Sequence, residues 1–235
     1  MQNSFRKGLR DGIPIALGYL SVSFTFGIMA TAAGLPVWAA IAISMTNLTS
    51  AGQFAGLALI VSGAPLVEMA LTQLVINIRY ALMSLSLSQK FDKSVTRADR
   101  LAIAFGNTDE IFAVASAHTG EVGSRYMYGL IVAPYIGWTL GTIIGAVAGE
   151  VLPPIVTSAL GIAIYGMFLA IIVPPARVYR PVLRVIAIAV AVSCAFFWIP
   201  GLNKLSSGFV IIICAVVAAG IGAVLYPIKE GAESE

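Results

Sequence analysis

Residues 101–115 read Leu101-Ala102-Ile103-Ala104-Phe105-Gly106-Asn107-Thr108-Asp109-Glu110-Ile111-Phe112-Ala113-Val114-Ala115. Two adjacent carboxylates, Asp109 and Glu110, stand between flanks apolar enough to lie inside a bilayer. A carboxylate at that depth costs about 2.5–3.5 kcal/mol on insertion scales. It is therefore expected to face a protein interior or a water-filled path. The stretch points to a membrane protein and marks a functional position on a transport route.

The rest of the chain agrees. Of 235 residues, 59% are hydrophobic and 11% charged, against about 25% charged in soluble domains; the mean hydropathy is +0.93. One integral membrane domain over residues 1–235 is expected, with no room for a sizeable soluble domain. The net charge of +3 fits loop placement in a lipid bilayer. Long basic runs and interleaved surface aromatics are absent, so no nucleic-acid partner is expected. Cys194 and Cys214 lie in apolar segments without metal-ligand spacing. With no phosphate-binding loop, metal cluster or nucleophile–base pattern, neither a cofactor nor enzymatic activity is expected. An intramembrane enzyme using Asp109-Glu110 as acid and base would lack a second catalytic group. Arg6, Lys7 and Arg10 precede an apolar run longer than a signal-peptide core and without a clear cleavage site, which reads as a retained first helix.

Eight apolar segments stand out, at about 13–33, 37–62, 65–88, 101–119, 126–149, 155–175, 182–200 and 206–226. Each is near the ~20 residues that cross a bilayer. Lys and Arg favour the cytoplasmic side. If all eight segments crossed, the dense cluster Lys90, Lys93, Arg97 and Arg100 would lie outside. If 37–62 and 101–119 instead enter and return on one side, twelve of the fourteen basic residues gather inside. Lys204 alone is then outside and Arg79 lies within the membrane. The expected fold is an all-α polytopic helical bundle with about six full spans and two broken or re-entrant elements. The two elements would enter from opposite faces, as in the inverted repeats of secondary transporters. At an offset of 58 residues, Thr49-Ser50-Ala51-Gly52-Gln53-Phe54-Ala55 overlays Asn107-Thr108-Asp109-Glu110-Ile111-Phe112-Ala113, with Phe and Ala identical.

Each element carries a polar knot. In Thr46-Asn47-Leu48-Thr49-Ser50-Ala51-Gly52-Gln53, Ser50 and Gln53 have capping-box spacing. In the second knot Asn107 is positioned to cap and Glu110 to occupy the third helical position. Each knot reads as the start of a half-helix whose free N–H groups favour an anion. Asn47, Thr49, Ser50, Gln53, Asn107, Asp109 and Glu110 are therefore candidates for substrate binding or coupling. Asn77-Ile78-Arg79-Tyr80 adds two more, Asn77 and Arg79. Arg79 precedes Lys90 by eleven residues, about 16 Å of helix, and its planar fork suits a carboxylate. Glu68 reads as interfacial, and His118 as a surface histidine. Gly137, Gly141, Gly145 and Gly149 repeat every fourth residue, a stripe that lets helices approach closely, within the chain or against a partner.

These residues resemble the AzlC family, the large subunits of bacterial branched-chain amino acid exporters. The resemblance rests on Gly12-Ile13-Pro14, Phe26-Gly27, Gly52-Gln53-Phe54, Asn77-Ile78-Arg79-Tyr80 and Thr108-Asp109-Glu110. Tyr80 departs from the His expected after that Arg. The resemblance implies export of valine, leucine, isoleucine and methionine, with a small AzlD-type membrane subunit as partner. The broken elements and the acidic pair add the expectation of a secondary, proton-coupled mechanism, and a secondary transporter of another small organic solute is the alternative. It implies the bacterial inner membrane, and the charge distribution a cytoplasmic N-terminus.

Overall fold

A computed structural model describes residues 3–153, 155, 169 and 172–226. The segment expected at 155–175 lies almost wholly outside the described residues. Elsewhere the protein is all-α, and among the described residues the only β pairing is one isolated bridge, Phe91 to Val122. The helices of the described residues include α1 (Phe5–Ala32), α2 (Val37–Thr46), α3 (Ser50–Val61), α4 (Leu66–Ser88), α5 (Arg97–Gly106), α6 (Asp109–Ala117), α7 (Ser124–Val151), α8 (Arg180–Trp198) and α9 (Ser207–Leu225). Five of these, α1, α4, α7, α8 and α9, are long and apolar enough to cross a membrane. The segments 37–62 and 101–119 are each broken into two short helices, α2–α3 and α5–α6. The breaks fall on the two polar knots.

Local chemistry explains the boundaries. Ser4 caps α1 by accepting from the Lys7 N–H. The turns after α1 and α3 use Gly34 and Gly63 at positive φ, where a side chain would be strained. Pro36 and Pro65 follow and open the next helices. A capping box starts α5: Thr96 Oγ1 accepts from the Asp99 N–H, and Asp99 accepts from the Thr96 N–H at 2.8 Å. The Tyr128 hydroxyl donates to the other oxygen of Asp99 at 2.6 Å, tying α5 to α7. Hydrogen bonds from Tyr128 and Thr96 hold the Asp99 carboxyl below the usual carboxylate range.

The chain forms two compact units, residues 1–57 with 76–164, and 58–75 with 165–235. The first is organised on a close seam between α1 and α7. A Cβ on Gly137 would strike the Ala16 carbonyl, one on Gly141 the Leu20 carbonyl and Ser23 hydroxyl, and one on Gly145 the Phe24 carbonyl. Gly149 faces Thr31 in the same way, and Gly8, Gly12 and Gly27 return the favour against α7. The stripe thus packs within the chain, because the small residues of both helices interlock. Phe26 and Phe54 meet edge to face at 5.5 Å, and Tyr19 and Trp138 at 5.2 Å.

In the second unit α8 packs on α9. Glu68, expected at the interface, is only 3% exposed there. Its Oε1 accepts from the Ser206 hydroxyl and from the Gly208 N–H at 3.0 Å, so it satisfies the start of α9. His118 is also buried, 8% exposed, with its ring 4.6 Å from that of Tyr126. The apolar wall of α7 takes it in, where a surface position was expected.

Candidate functional site

The site grows from the two breaks. Asn and Thr offer the backbone side-chain partners that compete with a continuing helix, and both breaks carry one of each, Asn47 with Thr49 and Asn107 with Thr108. Residues 47–49 separate α2 from α3, and Asn107 and Thr108 separate α5 from α6. Thr49 Oγ1 accepts from the Gly52 N–H at 3.2 Å, and Thr108 Oγ1 from the Ile111 N–H at 3.4 Å. The caps are therefore Thr49 and Thr108, in place of the expected Ser50 and Asn107. A cap reaches the N–H three residues on, and in both knots the threonine holds that register. The two caps correspond one residue away from the 58-residue overlay read from the sequence.

The side chains freed from capping go elsewhere. Gln53 turns back from α3 and donates through Nε2 to Ser44 Oγ at 2.8 Å. Ser44 lies 2.6 Å from Thr142 Oγ1, which donates to the Ser23 carbonyl at 3.4 Å. An amide N–H can only donate and a carbonyl can only accept, so this chain runs in one direction from α3 through α2 and α7 to α1. All four residues are buried. Gln53 is thus a tie between helices. Asn107 donates through Nδ2 to Ser84 Oγ on α4 at 3.0 Å.

The acidic pair is divided. Asp109 meets Arg79 of α4 at 2.8 Å, with side-chain exposures of 41% and 48%. Arg79 also donates to the Tyr80 hydroxyl at 3.3 Å, with its guanidinium carbon 5.0 Å from the Tyr80 ring centre. Glu110 instead accepts from the Tyr19 hydroxyl of α1, which also reaches Thr108 Oγ1 at 2.5 Å. Tyr19 is buried against Trp138. Sequence reasoning missed Tyr19 and Ser84. A phenol within the first span, whose hydroxyl must find a partner, was the available signal for Tyr19.

Between the breaks lies a cavity of about 200 Å³. Thr46, Asn47, Leu48 and Thr49 form one side, and Ala104, Phe105 and Asn107 the other; Asn77 and Tyr80 of α4 complete it. Among the predicted site residues, the structure brings Asn47, Thr49, Asn77 and Asn107 together around this space. Arg79 and Asp109 pair beside it through Tyr80, while Ser50, Gln53 and Glu110 are not among its walls. Tyr80 stands on the cavity where a His was expected.

Broken helices meeting at a polar cavity, in a chain with several membrane-spanning helices, define a polytopic α-helical membrane protein of the kind built around discontinuous helices. The AzlC protein family model matches residues 14–152, a range that contains both breaks, Arg79 and most of the α1–α7 seam. The chain is 31% identical over 174 residues to the inner membrane protein YgaZ of Escherichia coli, covering 71% of each protein. It is 34% identical over 172 residues to a membrane protein of Archaeoglobus fulgidus, covering 72% of this chain and 75% of that one. A membrane protein of Helicobacter pylori is 27% identical over 155 residues. No solved structure matches the chain. The protein belongs to the AzlC family.

Proposed function

We propose that this protein is the permease subunit of a secondary exporter of branched-chain amino acids, valine, leucine, isoleucine and methionine, in the inner membrane. The observation that carries the reading is the Arg79–Asp109 ion pair, which joins α4 to the start of α6 beside the cavity between the two helix breaks. An amino acid is a zwitterion, and an arginine–carboxylate pair is its electrostatic complement. The pair is about half accessible, and ion pairs that are not sealed in protein contribute about 1 kcal/mol or less. A substrate carboxylate can therefore replace Asp109 on the guanidinium, whose fork accepts it bidentately.

Asp109, released, becomes the group that takes up the coupling proton. Asp109 heads α6, so the N-terminus of this half-helix brings a positive dipole end toward the same anionic group. Conformational exchange would carry the site from the cytoplasmic face, where Arg6, Lys7, Arg10 and the 90–100 cluster are assigned, to the outer face. No chemical step on the substrate is required, so the protein acts as a carrier and not as an enzyme. A small AzlD-type subunit completes the exporter.

The test is amino acid efflux from dipeptide-loaded cells expressing this chain with and without that small subunit. Efflux of leucine, isoleucine and valine above the vector control, lost on Arg79→Ala, is the expected result. Absence of efflux with both chains present in the membrane would refute the reading.

A further inference from the structure

The cavity beside the ion pair has the opposite electrostatic character. Its walls include the ends of two ten-residue helices: Thr46 and Asn47 where α2 stops, and Ala104 and Phe105 where α5 stops. A helix C-terminus carries roughly half a negative charge and presents carbonyls without intrahelical partners. No Lys or Arg is among the lining residues.

Asn107 supplies a second and independent feature. It is 3% exposed and donates through Nδ2 to Ser84 Oγ at 3.0 Å. Its Oδ1 is a buried acceptor without a hydrogen-bond partner, on a residue that lines the cavity. Thr49, at the start of α3, lines the same space, but two helix C-terminal ends and a buried acceptor outweigh one helix start and favour a cationic donor. Arg79, bonded to the Tyr80 hydroxyl on the cavity wall, would hold a neighbouring anionic group.

We propose that this cavity is a subsite for a monovalent cationic group, the primary ammonium of an amine, held by Asn107 Oδ1 and the ends of α2 and α5. Naming that ammonium as the substrate's own rests on the transport reading above. A sodium ion shares the chemistry and is the other occupant to distinguish. The ammonium then sits in the cavity while its carboxylate reaches Arg79, and Asp109 is left for the proton.

The experiment titrates 3-methylbutylamine, leucine without its carboxylate, into the purified full chain in nanodiscs by calorimetry, in choline buffer. Saturable binding is expected, weakened at least tenfold by Asn107→Leu in protein whose thermal unfolding confirms that it is folded. Asn107→Asp places a carboxylate on the same atoms and should tighten binding at least tenfold; it decides the question alone if the leucine variant does not fold. Competition by sodium in place of choline assigns the subsite to an inorganic cation, and its absence assigns it to the ammonium. No amine binding, or an affinity indifferent to both substitutions, overturns the proposal. Asn107-dependent amine binding in a protein without leucine efflux would leave the subsite standing and refute only the transport reading.

Discussion

Tyr19 and Glu110 are 91 residues apart in the chain and joined by a hydrogen bond from phenol to carboxylate. With Asp109 turned to Arg79, the two adjacent acids answer to different helices, Glu110 to α1 and Asp109 to α4. Each therefore has its own role and its own test.

Removing the phenol leaves Glu110 without this donor and loosens α6 from α1. Tyr19→Phe should lower the stability of the detergent-solubilised protein by about 1 kcal/mol, the scale of polar contacts within membranes. Glu110→Gln keeps an acceptor for Tyr19 and should be milder. Thermal unfolding of both variants checks the order; a phenylalanine variant as stable as the parent would show that the bond contributes nothing.

Arg79→Lys keeps the charge but loses the fork. Substrate affinity should fall at least fivefold with folded yield nearly unchanged, and Asp109→Asn should abolish pH-driven flux. If Arg79→Ala lowers only the yield and Arg79→Lys is silent in binding, the pair is structural. Equilibrium binding and yield, measured on the same preparations, separate the two.

Much of this was legible in the sequence because membranes punish exceptions. Asn47–Thr49 and Asn107–Thr108 interrupt apolar runs, and the helices break there. Gly34-Leu35-Pro36 and Gly63-Ala64-Pro65 forced the turns. What remained hidden was side-chain direction. Capping boxes written one residue apart look alike in sequence, so Ser50 and Asn107 took roles that Thr49 and Thr108 fill. The destination of Gln53 was equally hidden, since its partner Ser44 precedes the break and only the fold brings α2 back beside α3. Glu68 reads as interfacial until the start of α9 is seen to need an acceptor.

The seam between α1 and α7 leaves no space for even one methyl group. Gly145→Ala would drive a Cβ into the Phe24 carbonyl and should cost about 1–3 kcal/mol as overpacking. Gly141→Leu should prevent accumulation of this chain on its own. Co-purification with a small subunit, measured on the fraction of the alanine variant that folds, should be unchanged; selective loss of the partner would place the stripe at an interface instead.

The charge distribution assigns the basic stretches 90–100 and 176–184 to the cytoplasmic side. With Cys194 and Cys214 replaced, both being free thiols, a cysteine at Lys93 should resist an impermeant thiol reagent in intact cells and react in inverted vesicles. Ready labelling from outside would overturn the topology with two broken elements.

The interlocked glycines also bear on how variants of this protein should be interpreted. In a saturation screen, positions 137, 141, 145 and 149 should be as intolerant as Arg79 or Asp109, although none of these glycines touches the cavity. A ranking by mutational sensitivity alone would therefore mistake the scaffold for the pore. The two sets should part under a stabilising condition such as lower growth temperature, which can rescue a strained seam but cannot restore a missing guanidinium.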